Sequence, residues 1–167
     1  MKEEILKLMD PVLFIKTRDV TDFSIVPDIA SRLISAMESE NCSSLSANQI
    51  DIDYSIFVLD NRVFRDLGCP VGNDDFFVAV NPSVSMDFGE KLVEEGCVSY
   101  PGVTVKTLRS SFIVLECMNA NGEEVNYNCS GMAAYAVQHE MDHLEGITVF
   151  THSFPEKQRE IILMQSR

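Results

Sequence analysis

The stretch His139-Glu140-Met141-Asp142-His143 places two imidazoles and a carboxylate at the spacing that a water-activating metal site requires. On a helix with 3.6 residues per turn, residues four apart lie on one face, so His139 and His143 can both reach one ion. Glu140 then stands beside the ion without having to bind it. The pattern predicts metal-assisted hydrolysis in which Glu140 carries the proton.

A helix over residues 131–145 is expected around this motif. Ser130 is a suitable N-cap residue, and Gly146 provides a stop signal after the last turn. The chain has only 3 histidines, and the third, His152, is interpreted as an ordinary surface or packing residue. Apolar residues at helical spacing are interpreted as core or as the wall of a pocket: Met132, Tyr135, Ala136 and Leu144.

Two histidines leave a catalytic site one protein ligand short, and the third is usually Asp, Glu, His or Cys. Cys97 is the candidate. It lies in Glu94-Glu95-Gly96-Cys97-Val98-Ser99-Tyr100-Pro101-Gly102, where glycines and a proline allow the backbone to turn toward a ligand. From the residues alone, Cys97 can be either a metal ligand or a small buried apolar residue.

The cysteines form an odd set without CxxC spacing, which indicates neither a disulfide framework nor a four-thiolate zinc site. Cys117, inside the apolar run 112–118, is interpreted as a buried apolar residue. The 5 cysteines are Cys42, Cys69, Cys97, Cys117 and Cys129.

Residues 95–99 (Glu-Gly-Cys-Val-Ser) and 138–144 (Gln-His-Glu-Met-Asp-His-Leu) together resemble the peptide deformylase family, which removes the formyl group from the initiator methionine of new polypeptides. The family's glycine-rich stretch ending in glutamine is similar to Leu45-Ser46-Ala47-Asn48-Gln49. The family resemblance also includes Asp10-Pro11-Val12-Leu13 and Arg109. The resemblance extends over most of the chain, from residue 5 to residue 150.

The resemblance implies that Cys97, His139 and His143 bind one divalent ion, with water as the fourth ligand. An open position of this kind is typical of catalytic sites. Glu140 is then expected to accept a proton from that water and to pass it to the departing amine.

The resemblance also implies roles for residues around the ion. The side-chain amide of Gln49 and the backbone N–H of Val98 are expected to donate to the formyl oxygen as it gains charge. Glu95 and Arg109 resemble a pair that steadies the cysteine loop. Asp142 is expected to hold an imidazole or a neighbouring loop.

A preference for methionine after the formyl group is implied by the resemblance alone. The residues expected to contact the substrate are Ser44, Leu45, Met132, Tyr135 and Ala136. The last three precede His139 on the predicted helix, where core packing is the alternative role.

The stretch that resembles the family's glycine-rich motif departs from the family's usual sequence. Cys42-Ser43-Ser44-Leu45 stands where the family usually has Gly-x-Gly-Leu. A side chain at a position that needs positive φ costs roughly 1 to 3 kcal/mol. Asn48 replaces a common proline, which is expected to loosen the loop that holds Gln49.

Two alternative functions follow from these residues. The first is another metal-dependent amide hydrolase or peptidase, although that class usually has a carboxylate or a third histidine in place of Cys97. The second is a catalytically impaired metal-binding homologue, suggested by Cys42 and Ser44. Intact Glu140 and Gln49 argue against the second alternative.

The chain has 167 residues, of which 46% are hydrophobic and 23% charged, as expected for a single catalytic domain over residues 1–167. A helix is predicted over 27–40. The predicted strands are 54–59, 76–80, 112–118 and 123–127, the last two joined by an Asn121-Gly122 hairpin turn. This order predicts an α+β, deformylase-like fold, with mainly antiparallel sheets packed around the C-terminal motif helix.

The formal net charge is −13, which disfavours electrostatic attachment to DNA or to anionic lipid. Near the C-terminus, basic and acidic side chains nearly balance, so a weak or absent ribosome tether is expected. The residues concerned are Lys157, Arg159, Arg167, Glu156 and Glu160. No signal-peptide core or membrane-length apolar stretch is evident, which favours the cytosol, or an organelle if a presequence has been removed.

The identity of the ion is left open by its ligands. One sulfur and two nitrogens suit Zn²⁺, Fe²⁺, Co²⁺ or Ni²⁺. The family resemblance favours Fe²⁺ in the cell and N-formylmethionyl peptides of nascent chains as substrates.

Overall fold

The computed structural model describes residues 3–65 and 74–165. Cys69 and Arg167, which the sequence analysis names, lie outside these ranges. The helices are α1 (Val26–Glu40), α2 (Asn61–Phe64), α3 (Gly131–Leu144), α4 (Val149–His152) and α5 (Pro155–Met164). The strands are β1 (Ser44–Ser46), β2 (Ile56–Asp60), β3 (Phe76–Cys97), β4 (Tyr100–Met118) and β5 (Glu124–Ser130).

The five strands form one antiparallel sheet in the order β1-β2-β3-β4-β5. Each strand pairs with the next one along the chain, so the sheet is a meander with α1 before it and α3 after it. The predicted α+β class with mainly antiparallel strands is therefore confirmed. No helix within the described ranges is both long and apolar enough to cross a bilayer.

The motif helix was predicted almost to the residue. α3 spans Gly131–Leu144 against the predicted 131–145, and Gly146 follows it with φ +73°. Ser130 occupies the N-cap position, but its side chain makes no capping hydrogen bond. α3 packs on the sheet through small side chains, since Ala133, Ala134 and Val137 are fully buried in the cluster that contains β4 residues.

The hairpin of β3 and β4 is much longer than predicted. Sequence patterns identified only 76–80 and 112–118, where apolar residues are buried on the sheet. The alternation of apolar and polar residues continues beyond these segments, at Val84, Met86 and Phe88 of β3 and at Val103 and Val105 of β4, and the prediction did not include it. The two extensions pair with each other, and the cross-strand contacts include a stacked Phe88–Phe112 pair with ring centroids 4.6 Å apart.

A second core cluster lies between α1 and the start of the sheet. Leu33 and Met37 of α1 are buried with Leu45 of β1 and with Ile50, which ends the short 3-10 turn Ala47–Ile50. α1 begins one residue before the predicted 27–40 helix. This cluster positions β1 and the following turn beside α3.

Gly146 is expected to be intolerant of any side chain. A Cβ at this position would lie 2.7 Å from the backbone carbon and oxygen of Phe14, at a φ of +73°. We expect Gly146→Ala to lower the free energy of unfolding by about 2 to 4 kcal/mol, measured by urea denaturation. Gly102→Ala is the matched control, because Gly102 has φ +75° but open space around its Cβ position. A loss in Gly146→Ala no larger than in the control would contradict the packing argument.

Candidate metal centre and active site

Three candidate metal donors converge in the structure. One ligand atom from each of Cys97, His139 and His143 lies within 4.8 Å of the other two. The sulfur of Cys97 is 3.2 Å from Nε2 of His143. The His139 and His143 rings, one turn apart on α3, have centroids 4.9 Å apart.

The donors come from two elements that the sheet brings together. Cys97 is the last residue of β3, immediately before the two-residue turn that leads into Tyr100 of β4. Both histidines lie on the face of α3 that turns toward this hairpin end. The alternative interpretation of Cys97, as a small buried apolar residue, does not fit this arrangement, since its sulfur faces two imidazoles.

The donor set fits a tetrahedral ion. With metal–sulfur and metal–nitrogen bonds of about 2.3 and 2.1 Å, neighbouring ligand atoms lie roughly 3.3 to 3.6 Å apart. The observed separations begin at 3.2 Å and extend to no more than 4.8 Å, so small side-chain rotations suffice. One thiolate and two imidazoles are typical ligands of Zn²⁺ and of the neighbouring transition metals.

The electrostatics favour a thiolate at Cys97. Burial opposes ionisation of this thiol, but the His143 and His139 imidazoles outweigh it and lower the pKa of Cys97 to about 5. Burial also opposes charge on His139, whereas Cys97 and Glu95 raise its pKa well above the ordinary value. The cluster is therefore preorganised to hold a negative sulfur, which is the form that binds metal.

A buried arginine joins the strand of Cys97 to the helix of the histidines. Arg109 of β4 donates to both oxygens of Glu95 at 2.6 and 3.2 Å and to Asp142 at 2.6 Å. Its side chain is only 5% exposed. Burial raises the pKa of Glu95, but His139 and Arg109 have the larger combined effect and lower it to about 2.

Asp142 and His152 extend this network. Nε2 of His152 lies 2.8 Å from Asp142 Oδ2, so Asp142 holds an imidazole, although not one of the two in the motif. The interpretation of His152 as an ordinary surface or packing residue missed this contact. Only the position of α4 brings His152 to α3, and no local pattern in the sequence signals it.

Gln49 lies beside Cys97, and both the oxygen and the nitrogen of its side-chain amide are hydrogen-bonded. Its Oε1 accepts from the backbone N–H of Ser46 at 3.0 Å. Its Nε2 donates to Ser99 Oγ at 3.0 Å and is 3.5 Å from Cys97 Sγ. Val98 follows Cys97 in the hairpin turn and also lines the cavity.

Asn48 does not loosen the loop of Gln49, so that expectation is wrong. The side chain is 1% exposed, and its Nδ2 donates to the backbone oxygen of His143 at 2.5 Å. This oxygen belongs to the last turn of α3, where backbone carbonyls lack partners within the helix. Asn48 therefore ties the turn Ala47–Ile50 to the metal-site helix.

The replaced motif glycines cause no backbone strain. Neither Cys42 nor Ser44 has positive φ, whereas the preceding Asn41 does, at +53°, as the C-cap of α1. Asparagine tolerates this conformation better than most residues. The strain that suggested an impaired homologue is absent from both positions.

Glu140 is buried in the centre of the site. The residue is 2% exposed, and its carboxylate accepts hydroxyl hydrogen bonds from Ser44 at 2.6 Å and Ser46 at 2.5 Å. No local pattern predicted these two contacts, because β1 and α3 are far apart in the chain.

A cavity of about 820 Å³ opens onto the donors. Cys97, His139 and Glu140 line it, whereas the buried His143 is not among its described lining residues. Of the five expected substrate contacts, four lie in its wall: Ser44, Met132, Tyr135 and Ala136. The fifth, Leu45, is fully buried in the α1 cluster and does not reach the cavity among its described lining residues.

The remaining described cysteines differ from Cys97. Cys117 is buried as predicted, and burial raises the pKa of its thiol to about 12. Cys129 is buried as well. Cys42 lines the cavity, where burial, Glu140 and Cys97 raise its pKa to about 12. These thiols lack the paired imidazoles that ionise Cys97.

Three metal donors, a buried carboxylate and an open cavity define a metal-dependent hydrolase site. Comparison with known proteins gives the family. The sequence profile of the family described as polypeptide deformylase matches residues 2–159. The chain therefore belongs to the polypeptide deformylase family, whose members are metal-dependent hydrolases that remove the N-formyl group from nascent polypeptides.

Individual relatives agree. The chain is 30% identical over 155 residues to a peptide deformylase of Thermodesulfovibrio yellowstonii, covering 92% of this chain and 90% of the relative. The crystal structure of peptide deformylase from Thermotoga maritima has a TM-score of 0.78 and 31% identity, covering 89% and 95%. The enzyme of the Vibrio parahaemolyticus bacteriophage VP16T, solved with actinonin, has a TM-score of 0.76 and 29% identity, covering 87% and 98%.

Arg109→Ala is expected to weaken the metal site and the fold together. The change leaves Glu95 and Asp142 without their shared cation, which costs about 3 to 5 kcal/mol in unfolding free energy for a buried pair. Loss of such support typically lowers metal affinity by about 10- to 100-fold. Metal-chelator competition and urea denaturation measure the two effects.

Lys16→Ala is the control for this experiment. Lys16 makes an exposed ion pair with Glu145, just after α3, and solvent screens it. Both quantities should stay nearly unchanged in that variant. Unaltered metal affinity in Arg109→Ala would show that the Glu95 and Asp142 contacts do not support the donors.

Proposed function

We propose that Cys97, His139 and His143 hold one divalent ion and that Glu140 moves the proton when the chain deformylates N-formylmethionyl peptides. The convergence of one thiol and two imidazoles within 4.8 Å carries this proposal. The four residues lie in two motifs that are distant in sequence and meet only through the packing of α3 on the hairpin of β3 and β4.

Glu140 is proposed as the general base and then the general acid. Its carboxylate lines the cavity beside Cys97 and His139, where an attacking water would lie. A bound ion would supply Lewis acidity and lower the pKa of that water toward neutrality. Glu140 would take the water's proton and return it to the nitrogen of the departing amine.

Gln49 and Val98 are proposed to stabilise the negative charge that develops on the formyl oxygen. The Gln49 amide is oriented by the Ser46 N–H, so its Nε2 side faces Cys97 and the cavity. Val98 lies in the hairpin turn next to Cys97 and lines the cavity. Donors fixed in advance cost no reorganisation during the reaction.

The methionine side chain of the substrate is proposed to lie against Met132, Tyr135 and Ala136. These residues occupy the turns of α3 that precede His139, and they line the same cavity. An apolar wall one or two turns from the ion suits an unbranched thioether side chain. All of these groups belong to one sheet and its helices, which supports a single catalytic domain over 1–167.

Fe²⁺ is proposed as the ion in the cell, with Zn²⁺, Ni²⁺ or Co²⁺ able to replace it in purified protein. Nascent formylated chains are the proposed partners, which is consistent with action in the cytosol. The weak ribosome tether stays a prediction. On α5, Lys157 is already paired with Glu160 at 2.8 Å, which leaves less positive charge to meet a polyanion.

Formate release from a formyl-methionyl peptide tests the role of Glu140. We expect Glu140→Ala to lower kcat by about 10²- to 10⁴-fold, the usual contribution of a general base, with its metal content retained. Gln49→Leu should fold normally and lose about 10²- to 10³-fold, because one oxyanion donor is removed.

Glu145→Ala is the matched control, since Glu145 lies just beyond α3 and pairs only at the surface with Lys16 among the described residues. It should release formate at the normal rate. Normal turnover by Glu140→Ala would remove Glu140 from the mechanism, and normal turnover by Gln49→Leu would do the same for Gln49.

Protein purified without oxygen is expected to contain iron by elemental analysis and to lose activity in air. The reason is oxidation of Fe²⁺ or of the Cys97 thiolate, which does not affect the redox-inert Zn²⁺ in the same way. The zinc-loaded protein, kept in air for the same time, is the control. Zinc in the anaerobic preparation, with activity stable in air, would overturn the proposal of iron.

A further inference from the structure

Both oxygens of the Glu140 carboxylate are held by serine hydroxyls. Ser44 Oγ donates to Oε1 at 2.6 Å, and Ser46 Oγ donates to Oε2 at 2.5 Å. Distances of about 2.5 to 2.7 Å are typical of hydroxyls donating to an ionised carboxylate. We call Ser44 and Ser46 together the hydroxyl clamp.

The pleat of β1 explains how one short strand supplies both hydroxyls. Side chains alternate between the two faces of a strand, so Ser44 and Ser46 share a face and Leu45 takes the other. Leu45 is fully buried in the α1 cluster, and that contact fixes the direction in which the serines point. Both therefore point toward α3 and Glu140.

Ser46 also connects Glu140 to Gln49. Its hydroxyl lies 3.0 Å from the Glu140 backbone oxygen as well as against the carboxylate. Its backbone N–H donates to Gln49 Oε1 at 3.0 Å. One fully buried residue thus sets the orientation of two groups to which the proposed function gives different tasks.

A base must be held in place to accept a proton efficiently. The last torsion of a glutamate side chain is broad, so the carboxylate plane can rotate unless both oxygens are held. A displacement of about 1 Å in a catalytic group can cost on the order of 100-fold in rate. Each carboxylate oxygen has two lone pairs, so the hydroxyl clamp leaves one on each oxygen for the water.

We propose that Ser44 and Ser46 are positioning residues that fix the Glu140 carboxylate for proton transfer. The inference rests on the proposed function, in which Glu140 is the proton carrier. Ser44 stands where the family usually has glycine, and glycine has no hydroxyl to offer. The replacement of glycine by Ser44 then gives the base an additional hydrogen bond and does not indicate impaired catalysis.

Steady-state kinetics of Ser44→Ala, Ser46→Ala and the double variant test this inference. Because both hydroxyls donate to the Glu140 carboxylate and are not free for a hydrogen bond to the substrate, kcat should fall and KM should change little. We expect kcat to fall about 10-fold in each single variant and about 100-fold in the double variant. KM for the formyl-methionyl peptide should stay within about twofold, and the metal-to-protein ratio should be unchanged.

Restoring or removing the hydroxyl at Ser44 separates its role from simple packing. Ser44→Thr keeps the hydroxyl and should return most of kcat. Ser44→Gly, which recreates the residue usual in the family, should lose as much as Ser44→Ala. Ser153→Ala is the matched control, because Ser153 is buried and its hydroxyl donates only to Val149 O among the described contacts. Its kcat should be unchanged.

The inference is overturned if kcat is unchanged in both single variants and in the double variant. A rise in KM without a fall in kcat would also overturn it, as would a gain of activity in Ser44→Gly. If Ser46→Ala fails to fold, the Ser44 variants decide, since Ser44 is only half-buried on the cavity wall. Full activity of Glu140→Ala would refute the proposed function itself. Inactive Glu140→Ala with fully active serine variants would refute only the hydroxyl clamp.

Discussion

The buried Arg109 guanidinium is the interaction on which the site depends. Cys97 comes from β3 and both histidines come from α3, so the donors meet only if these elements keep a fixed distance. Arg109 holds Glu95, two residues before Cys97, and Asp142, one residue before His143. A planar guanidinium with five donors can bridge two carboxylates in fixed directions, which a lysine ammonium cannot.

Gln138 provides a second connection between the same elements. Its side-chain amide accepts from Ser110 N–H at 2.9 Å and donates to Ser110 O at 2.8 Å, as a neighbouring strand would. This contact docks the start of the motif on β4, one residue from Arg109. The charged and the neutral contacts together prevent α3 from sliding along the sheet, which small residues such as Ala133 and Ala134 would otherwise permit.

The turn of residues 44–50 shows how polar side chains replace the usual motif residues. Asn48 holds the last turn of α3, Ser46 holds Glu140, and Gln49 is held in return by the Ser46 backbone. The Asn48 amide nitrogen, the Ser46 hydroxyl and the Gln49 amide thereby gain partners, which lowers the cost of removing these groups from water. The local motif looks degraded in sequence, yet its contacts connect β1 to the metal-site helix.

Local sequence patterns predicted those features that a few consecutive residues determine. The spacing of His139 and His143, the stop at Gly146 and the turn at Asn121-Gly122 each depend on a few consecutive residues, so helix and hairpin geometry determine them. The outer part of β3 was not predicted, although Val84, Met86 and Phe88 alternate with polar residues there. Its pairing with β4 joins residues that are distant in the chain.

The sequence by itself determined the motif helix, the α+β order of elements and, with the family resemblance, the three residues proposed as donors and the one proposed as the base. Tertiary structure alone decided that His152 supports Asp142, that Leu45 faces the core, and that Ser44 and Ser46 hold Glu140. These contacts join residues far apart in the chain. Their partners are selected by how α3, α4 and β1 pack, which no local periodicity encodes.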